Sequence, residues 1–300
     1  MKLTFYRGPV PNFGDELNLF MWPALLPQHF LDDDERELFV GIGSIIGTQM
    51  SQHARKVVMG SGYAGYMGEP DLHDGTWDVR FVRGPLTAER FGLEADKVVC
   101  DSAILLRAVE LPPARHGIDV AFMPHFESLQ RGFWPEACAL AGITLIDPTD
   151  PVETVIAQLK GASVLITEAM HGAIVADALR TPWIGVRPIV HSHQRKWLDW
   201  SQALDIELRV HDLWPTNILE LHVGMTGRGG GEGRAGAMNR SPLAYLPNRM
   251  LTYLAAQRLR DLARAEPQLS RDLKIVAVTD RALAEVSALA REPLARRSAG

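Results

Sequence analysis

Apolar and polar positions alternate along this chain in short blocks with one recurring rhythm: an apolar run of strand length, a small or polar loop, then a helical period. Residues 2–6, 38–44, 56–59, 78–83 and 97–101 read as successive strands, with helical periods over 17–26 and 86–91. Pro85 suits the first turn of the second of these helices and Gly92 its close. Strands follow over 118–123, 143–146, 163–167 and 183–186. Between them lie a helix over 134–141 closed by Gly142 and one opened by Asp150-Pro151-Val-Glu153 and closed at Gly161. A third carries Ile174/Ala178 and Val175/Leu179 at i,i+4 and stops at Arg180-Thr-Pro182. Beyond them, 243–265 and 281–290 also read as helical.

Strand–helix alternation of this kind predicts the α/β class with parallel sheets. Pro112-Pro113, within residues 107–116, reads as a semi-rigid connector. It separates an N-terminal Rossmann-like domain, 1–110, from a second at 117–222. A glycine-rich stretch at 223–240 reads as a linker, and 241–300 as a C-terminal helical tail with a disordered end.

The loops after the strands are small or charged. Gly41-x-Gly43-Ser44-x-x-Gly47, Gly60-Ser-Gly62, Arg83-Gly84-Pro85 and Asp101 close four of the N-terminal runs. In open α/β sheets ligands bind at the carboxyl ends of strands, so this edge is where the chemistry is sought. A glycine pattern alone is a weak signal, and the acid that a dinucleotide fold would place about 20 residues on is not evident.

Composition narrows the classes. Hydrophobic residues make up 46% of the 300, enough for two ordinary cores. A net charge of −5 and a pI near 6.1 argue against a nucleic-acid partner. Cys100 and Cys138 show no CxxC spacing, which points to a reducing, cytoplasmic setting without a disulfide framework or zinc. The short apolar start, cut by Arg7, does not read as a signal peptide, and no run reaches the length of a spanning helix. Walker-type loops and G-x-S-x-G elbows are absent.

His171 is the strongest single candidate. It follows a strand, opens a helix, precedes Gly172 and lies three residues after Glu168. A helix start disfavours an imidazolium and a bound phosphate favours one, so a histidine in that setting can exchange a proton near neutrality. Arg83 and Arg187 each end a strand, where a guanidinium can fork onto a carboxylate or phosphate; the alternative is a salt bridge within the fold. His125 follows Pro124 at another strand end. Asn12, Asp15 and Glu16 sit at a strand-to-helix turn, as caps or as substrate contacts. Arg195 and Lys196 could hold a phosphate. His191-x-His193 lacks carboxylates or cysteines to complete a metal set, so no metal is expected. Trp197 and Trp200 read as packing.

Taken in order, Asn12-Phe-Gly-Asp15-Glu, the Gly41–Gly47 and Gly60–Gly62 loops, Val82-Arg83-Gly-Pro-Leu-Thr87, Asp101-Ser-Ala-Ile-Leu-Leu and His171-Gly-Ala-Ile-x-Ala-Asp-Ala-Leu-Arg-x-Pro182 resemble the polysaccharide pyruvyl transferase family, in its bacterial exopolysaccharide, succinoglycan-type members. The matching segments span about residues 1–200. The resemblance implies two Rossmann-like domains facing a cleft, as in GT-B glycosyltransferases. It implies transfer of pyruvate from phosphoenolpyruvate onto two hydroxyls of one sugar in a lipid-linked oligosaccharide acceptor, giving a ketal and phosphate without a cofactor. Such an enzyme would work in the cytoplasm, at the inner face of the membrane beside membrane-bound polysaccharide assembly proteins. The family's histidine falls on His171, the acid that protonates C3; Asp15 or Glu168 would be the base on the sugar side. Arg83, Arg187, Lys196 and His125 would hold the donor's anionic groups, and Asn12 with Asp15 the acceptor. The family commonly places an Arg two residues before the histidine, where this chain has Ala169. A nucleotide-sugar glycosyltransferase on the same architecture, or a glycan-binding member without activity, are the competing readings.

Overall fold

The computed structural model describes residues 1–187, 189, 194–227 and 233–292. Its first elements are β1 (Lys2–Thr4), α1 (Phe13–Leu25), β2 (Glu37–Val40), β3 (Arg55–Met59), β4 (Trp77–Phe81) and α2 (Pro85–Arg90). Then come β5 (Ile118–Met123), α3 (Phe126–Arg131), α4 (Trp134–Ala141), β6 (Thr144–Leu145), α5 (Val152–Gly161), β7 (Ala162–Thr167), α6 (Met170–Leu179) and β8 (Trp183–Val186). The chain continues with α7 (Gln194–Ala203), β9 (Val210–His211), α8 (Ile218–Thr226), α9 (Gly233–Asn239), α10 (Tyr245–Leu262) and α11 (Asp272–Arg291).

These elements form two compact units. The first holds Met1–Leu111, Arg195–Glu207 and Ser270–Gly300; the second holds Pro112–Gln194 and Leu208–Leu269. The chain leaves the first unit between Leu111 and Pro112, within the predicted connector.

In the first unit β1 to β4 form a parallel sheet in chain order. The two inner strands are covered on both faces: Phe39 and Val40 of β2 and Val57 and Val58 of β3 are fully buried, while β1 and β4 at the edges are only partly so. Trp22 of α1 packs edge-on against Phe39, with ring centroids 4.6 Å apart. The fifth strand expected at 97–101 is not one. Residues Ala95–Lys97 form a 3₁₀ turn, and Val98 makes a single bridge to Val82. Asp101 then caps a second 3₁₀ stretch, Ser102–Ala108, by accepting from Ala103 N. An acid two residues before a backbone N–H favours such a turn over continued extension of the chain.

The second unit is a five-stranded parallel sheet in the order β6-β5-β7-β8-β9. Numbered within the unit, that is 2-1-3-4-5, a doubly wound order whose switch point lies between β5 and β7. Phe122, Ile166, Ile184 and Val186 bury one face against Trp134 and Cys138 of α4, Leu219 of α8, and Leu259 and Leu262 of α10. α5 and α6 pack against each other and against β5, β7 and β8. The residues expected to form an appended helical tail are therefore divided: α10 completes the core of the second unit, while α11 packs on the 3₁₀ stretch and β4 of the first. The glycine-rich segment carries helix as well. α8 runs to Thr226 and closes on Gly227 in the left-handed region (φ 65°), and α9 begins at Gly233.

Candidate functional site

The register of the second sheet sets which residues share its carboxyl edge. Met123 pairs with Thr167, and Thr167 with Gly185. The loops after β5, β7 and β8 therefore leave side by side, bringing His125, then Glu168 and His171, then Arg187 to one edge at the switch point. His171 occupies the first turn of α6, for which Ala169 is the N-cap. Gly172 is required by packing: a Cβ there would lie 2.5 Å from Thr167 Oγ1 and 2.8 Å from Met123 Sδ. Its absence lets the first turn of α6, which carries His171, settle onto the ends of β5 and β7. The Thr167 hydroxyl also accepts from Ala169 N at 3.1 Å and donates to the Ala169 carbonyl at 2.9 Å, tightening the turn.

Glu168, expected as an alternative base on the sugar side, is turned into the protein. Its side chain is 1% exposed, and both carboxylate oxygens are engaged. One accepts from His125 N at 2.9 Å; the other accepts from Ser128 Oγ and from Ile189 N, each at 2.9 Å. It thus ties together the loops after β5, β7 and β8. Burial pushes its pKa up, against the opposing pull of those donors and of the nearby Arg131 guanidinium. Arg131, beside Glu168, did not stand out in the sequence. It is 8% exposed, with Nη2 3.3 Å from Ser128 Oγ and Nη1 3.5 Å from Glu127. It brings a cation to the edge that Ala169 leaves neutral. Its only trace in the sequence is its place in the helix that follows Pro124-His125.

His125 is partly exposed, its ring 4.7 Å from that of Phe126 and its Nδ1 3.7 Å from Glu127. The Arg187 side chain is 44% exposed and its Nε lies 3.3 Å from Asp212. It lines a cavity of about 270 Å³ with Ile189, Asp212, Glu220, Leu221 and Met225. Glu220, fully buried, accepts from Trp134 Nε1 and from the backbone and hydroxyl of Thr216. Burial, with a lesser push from Glu168, raises its pKa to about 7.

The remaining candidates lie in the first unit. Arg83, expected to hold the donor's anionic groups, points into the fold. It is fully buried, with Nε 3.0 Å from Asp199 of α7, Nη1 donating to Ser44 and Nη2 to the Tyr63 carbonyl. The salt-bridge alternative is the one realised, and the small loops around it make room: a Cβ on Gly84 would lie 1.9 Å from the Asp199 carbonyl. Asp199 had no signal in the sequence beyond standing between Trp197 and Trp200, both buried as expected. Asn12 and Asp15 are partly buried at the start of α1, joined by Asn12 Nδ2 donating to Asp15 Oδ2 at 2.8 Å. Lys196 lies on α7, its ammonium 5.3 Å from the centroid of the Tyr66 ring. His191 and His193 lie outside the described residues. Among the described residues no group of three His, Cys, Asp or Glu could hold a metal ion, and no helix is long and apolar enough to cross a membrane.

Residues 50–188 match the family described as polysaccharide pyruvyl transferase. The matched segment contains Arg83, His125, Glu168, His171 and Arg187. A relative, the succinoglycan biosynthesis protein ExoV of Rhizobium meliloti (strain 1021), is 37% identical over 212 residues, or 70% of this chain. The chain covers 66% of that relative's length. No solved structure matches the chain. With the family match spanning the strand ends that build the switch-point edge, and with that identity to a succinoglycan biosynthesis protein, the chain belongs to the polysaccharide pyruvyl transferase family.

Proposed function

We propose that the protein transfers pyruvate from phosphoenolpyruvate onto two hydroxyls of one sugar in a lipid-linked oligosaccharide of exopolysaccharide synthesis, working in the cytoplasm. The observation that supports this best is the convergence of His125, His171 and Arg187 at the switch point of the second unit, where doubly wound sheets bind ligands. A helix N-terminus, a guanidinium and two imidazoles suit a donor carrying a carboxylate and a phosphate.

In this reading one sugar hydroxyl adds to C2 of phosphoenolpyruvate while C3 takes a proton, turning the methylene into a methyl group. The C2–O bond to phosphate then breaks, phosphate departs, and the second hydroxyl closes the ketal. Of the two hydroxyl protons lost, one is balanced by C3 and the other leaves with phosphate. His171 is assigned the proton delivered to C3, and Arg187 with His125 the charge on the donor. Glu168 and Arg131 position these groups. Asp15 and Asn12, of the first unit, are assigned to the acceptor.

Phosphate release tests this reading. Phosphate should appear only when phosphoenolpyruvate and a lipid-linked oligosaccharide are both present, and His171→Ala should abolish it. A melting temperature raised by UDP-sugars but not by phosphoenolpyruvate would instead establish a glycosyltransferase.

A further inference from the structure

α10 is built inside out over its first half. Its buried positions there are Asn248 and Thr252, while Leu246, Met250 and Tyr253 on the opposite face are 74%, 64% and 54% exposed. Leu243, in the turn just before, is 89% exposed. Spacings of three, four and three residues place these four side chains on one stripe. A helix that only had to complete the core would carry them on its other face. Asn248 and Thr252 are held inward by bonds to neighbouring segments: Asn248 accepts from Ile218 N and Thr252 donates to the Thr216 carbonyl. The outward face of Leu, Met and Tyr is thus a fixed feature of the packing. α8 and α9 lie against this region and add Met225 and Met238, 79% and 64% exposed.

Charge completes the pattern. From Gly233 to Arg260 the sequence holds five arginines and neither Asp nor Glu, in a chain whose net charge is −5. The hydrogen bonds of Arg249, Arg258 and Arg260 go to neutral oxygens, those of the Tyr245 hydroxyl and the carbonyls of Asp212, Leu140 and Ala141. Their positive charge is therefore not cancelled by these partners. Arg249 and Arg260 fall beside the apolar stripe of α10, and Arg258 lies over the Trp214 ring. Exposed Leu and Met flanked by Tyr and Arg match the interface of an anionic bilayer, where apolar tips enter the acyl boundary and guanidinium groups meet lipid phosphates.

We infer that the α8–α10 face is a docking surface for an anionic membrane. Leu221 and Met225 of α8 also line the cavity that holds Arg187, so this face borders the donor edge of the same unit. Lipid binding here does not depend on which donor the site takes. Sedimentation of the full-length protein with vesicles therefore tests it without turnover. Binding is expected to vesicles of phosphatidylcholine and phosphatidylglycerol in equal parts, to weaken as salt is raised, and to be lost with phosphatidylcholine alone. The double substitution Leu246→Glu, Met250→Glu should lower partition at least about tenfold. Arg249→Gln, which leaves the apolar stripe intact, should lower it about fivefold. Both are compared at unchanged circular dichroism, and the arginine variant carries the test should the double variant fail to fold. Wild-type protein that ignores anionic vesicles, or variants that bind as wild type does, would overturn the inference. So would ultracentrifugation showing that the same substitutions dissolve a dimer, since a second copy would then cover this face.

Discussion

Arg83 Nε and Asp199 Oδ2 lie 3.0 Å apart across 116 residues of chain, and both side chains are buried. The same carboxylate accepts from Thr87 N at 3.0 Å and from the Thr87 hydroxyl at 2.6 Å. The pair fastens α7 to the end of β4.

Removing one partner leaves the other buried and uncompensated. Asp199→Ala should therefore cost about 3–5 kcal/mol in urea unfolding. A loss under about 1 kcal/mol would mean that water reaches Arg83.

His171 and Glu168 stand three residues apart and should fail differently. His171→Ala is expected to abolish transfer at an unchanged melting temperature. Glu168→Ala leaves the donors at His125, Ser128 and Ile189 without their acceptor. It should lower stability by about 3 kcal/mol as well as activity, because the desolvation of each orphaned group is no longer offset. Calorimetry on both variants separates the roles; a His171 variant that melts as early as the Glu168 variant would make His171 structural.

Gly172→Ala places a methyl group where Thr167 Oγ1 and Met123 Sδ already sit. The first turn of α6 must move, which should cost about 1–3 kcal/mol and reduce turnover by misplacing His171. Retained turnover with lowered stability would show that the turn yields elsewhere.

The buried acids give a pH signature. Glu220 has its pKa raised from 4.5 to about 7 by burial, so the folded state holds its proton more tightly than the unfolded chain does. The resulting stability is fully present below pH 4.5 and is lost as pH rises through about 7. The shift amounts to about 3 kcal/mol. Plotted from pH 4 to 8, the stability difference between wild type and Glu220→Gln should move by that amount in favour of the variant; a flat difference would show that Glu220 stays charged.

Arg187 is half exposed, and its pair with Asp212 is open to water. Arg187→Gln should leave the melting temperature within a degree or two, since such a pair contributes about 0–1 kcal/mol. It should raise KM for phosphoenolpyruvate about tenfold or more, in keeping with the loss of a charge-assisted contact. Steady-state kinetics checks both halves.

The strand ends were legible because each is a local event. An apolar run, a Gly or Pro and a helical period lie within a dozen residues of one another, and so the segment from β7 through His171 to β8 could be located from its own residues. The segment 97–101 misled for the same reason: its apolar triplet looks like a strand, but its pairing stops at the single bridge from Val98 to Val82 and the chain turns into the 3₁₀ stretch that Asp101 caps. The tail misled because helicity is local but the partner of a helix face is not. Nothing in the residues of α10 says that it closes the second core while α11 closes the first.

By itself, then, the sequence determined the α/β class, the strand-to-helix loop that carries His171 and the absence of a basic, nucleic-acid-like composition. All of these follow from periodicity, turn chemistry and charge over short stretches. The tertiary structure alone decided what the charged residues do. Arg83 became a buried structural cation because Asp199 returns from far along the chain, and Glu168 became a tie because the segments after β5 and β8 bring it N–H and O–H donors. Arg187 kept an exposed side chain at the rim of a cavity. An ionisable side chain is a ligand or a strut according to what surrounds it, and those surroundings are set by contacts between residues distant in the sequence.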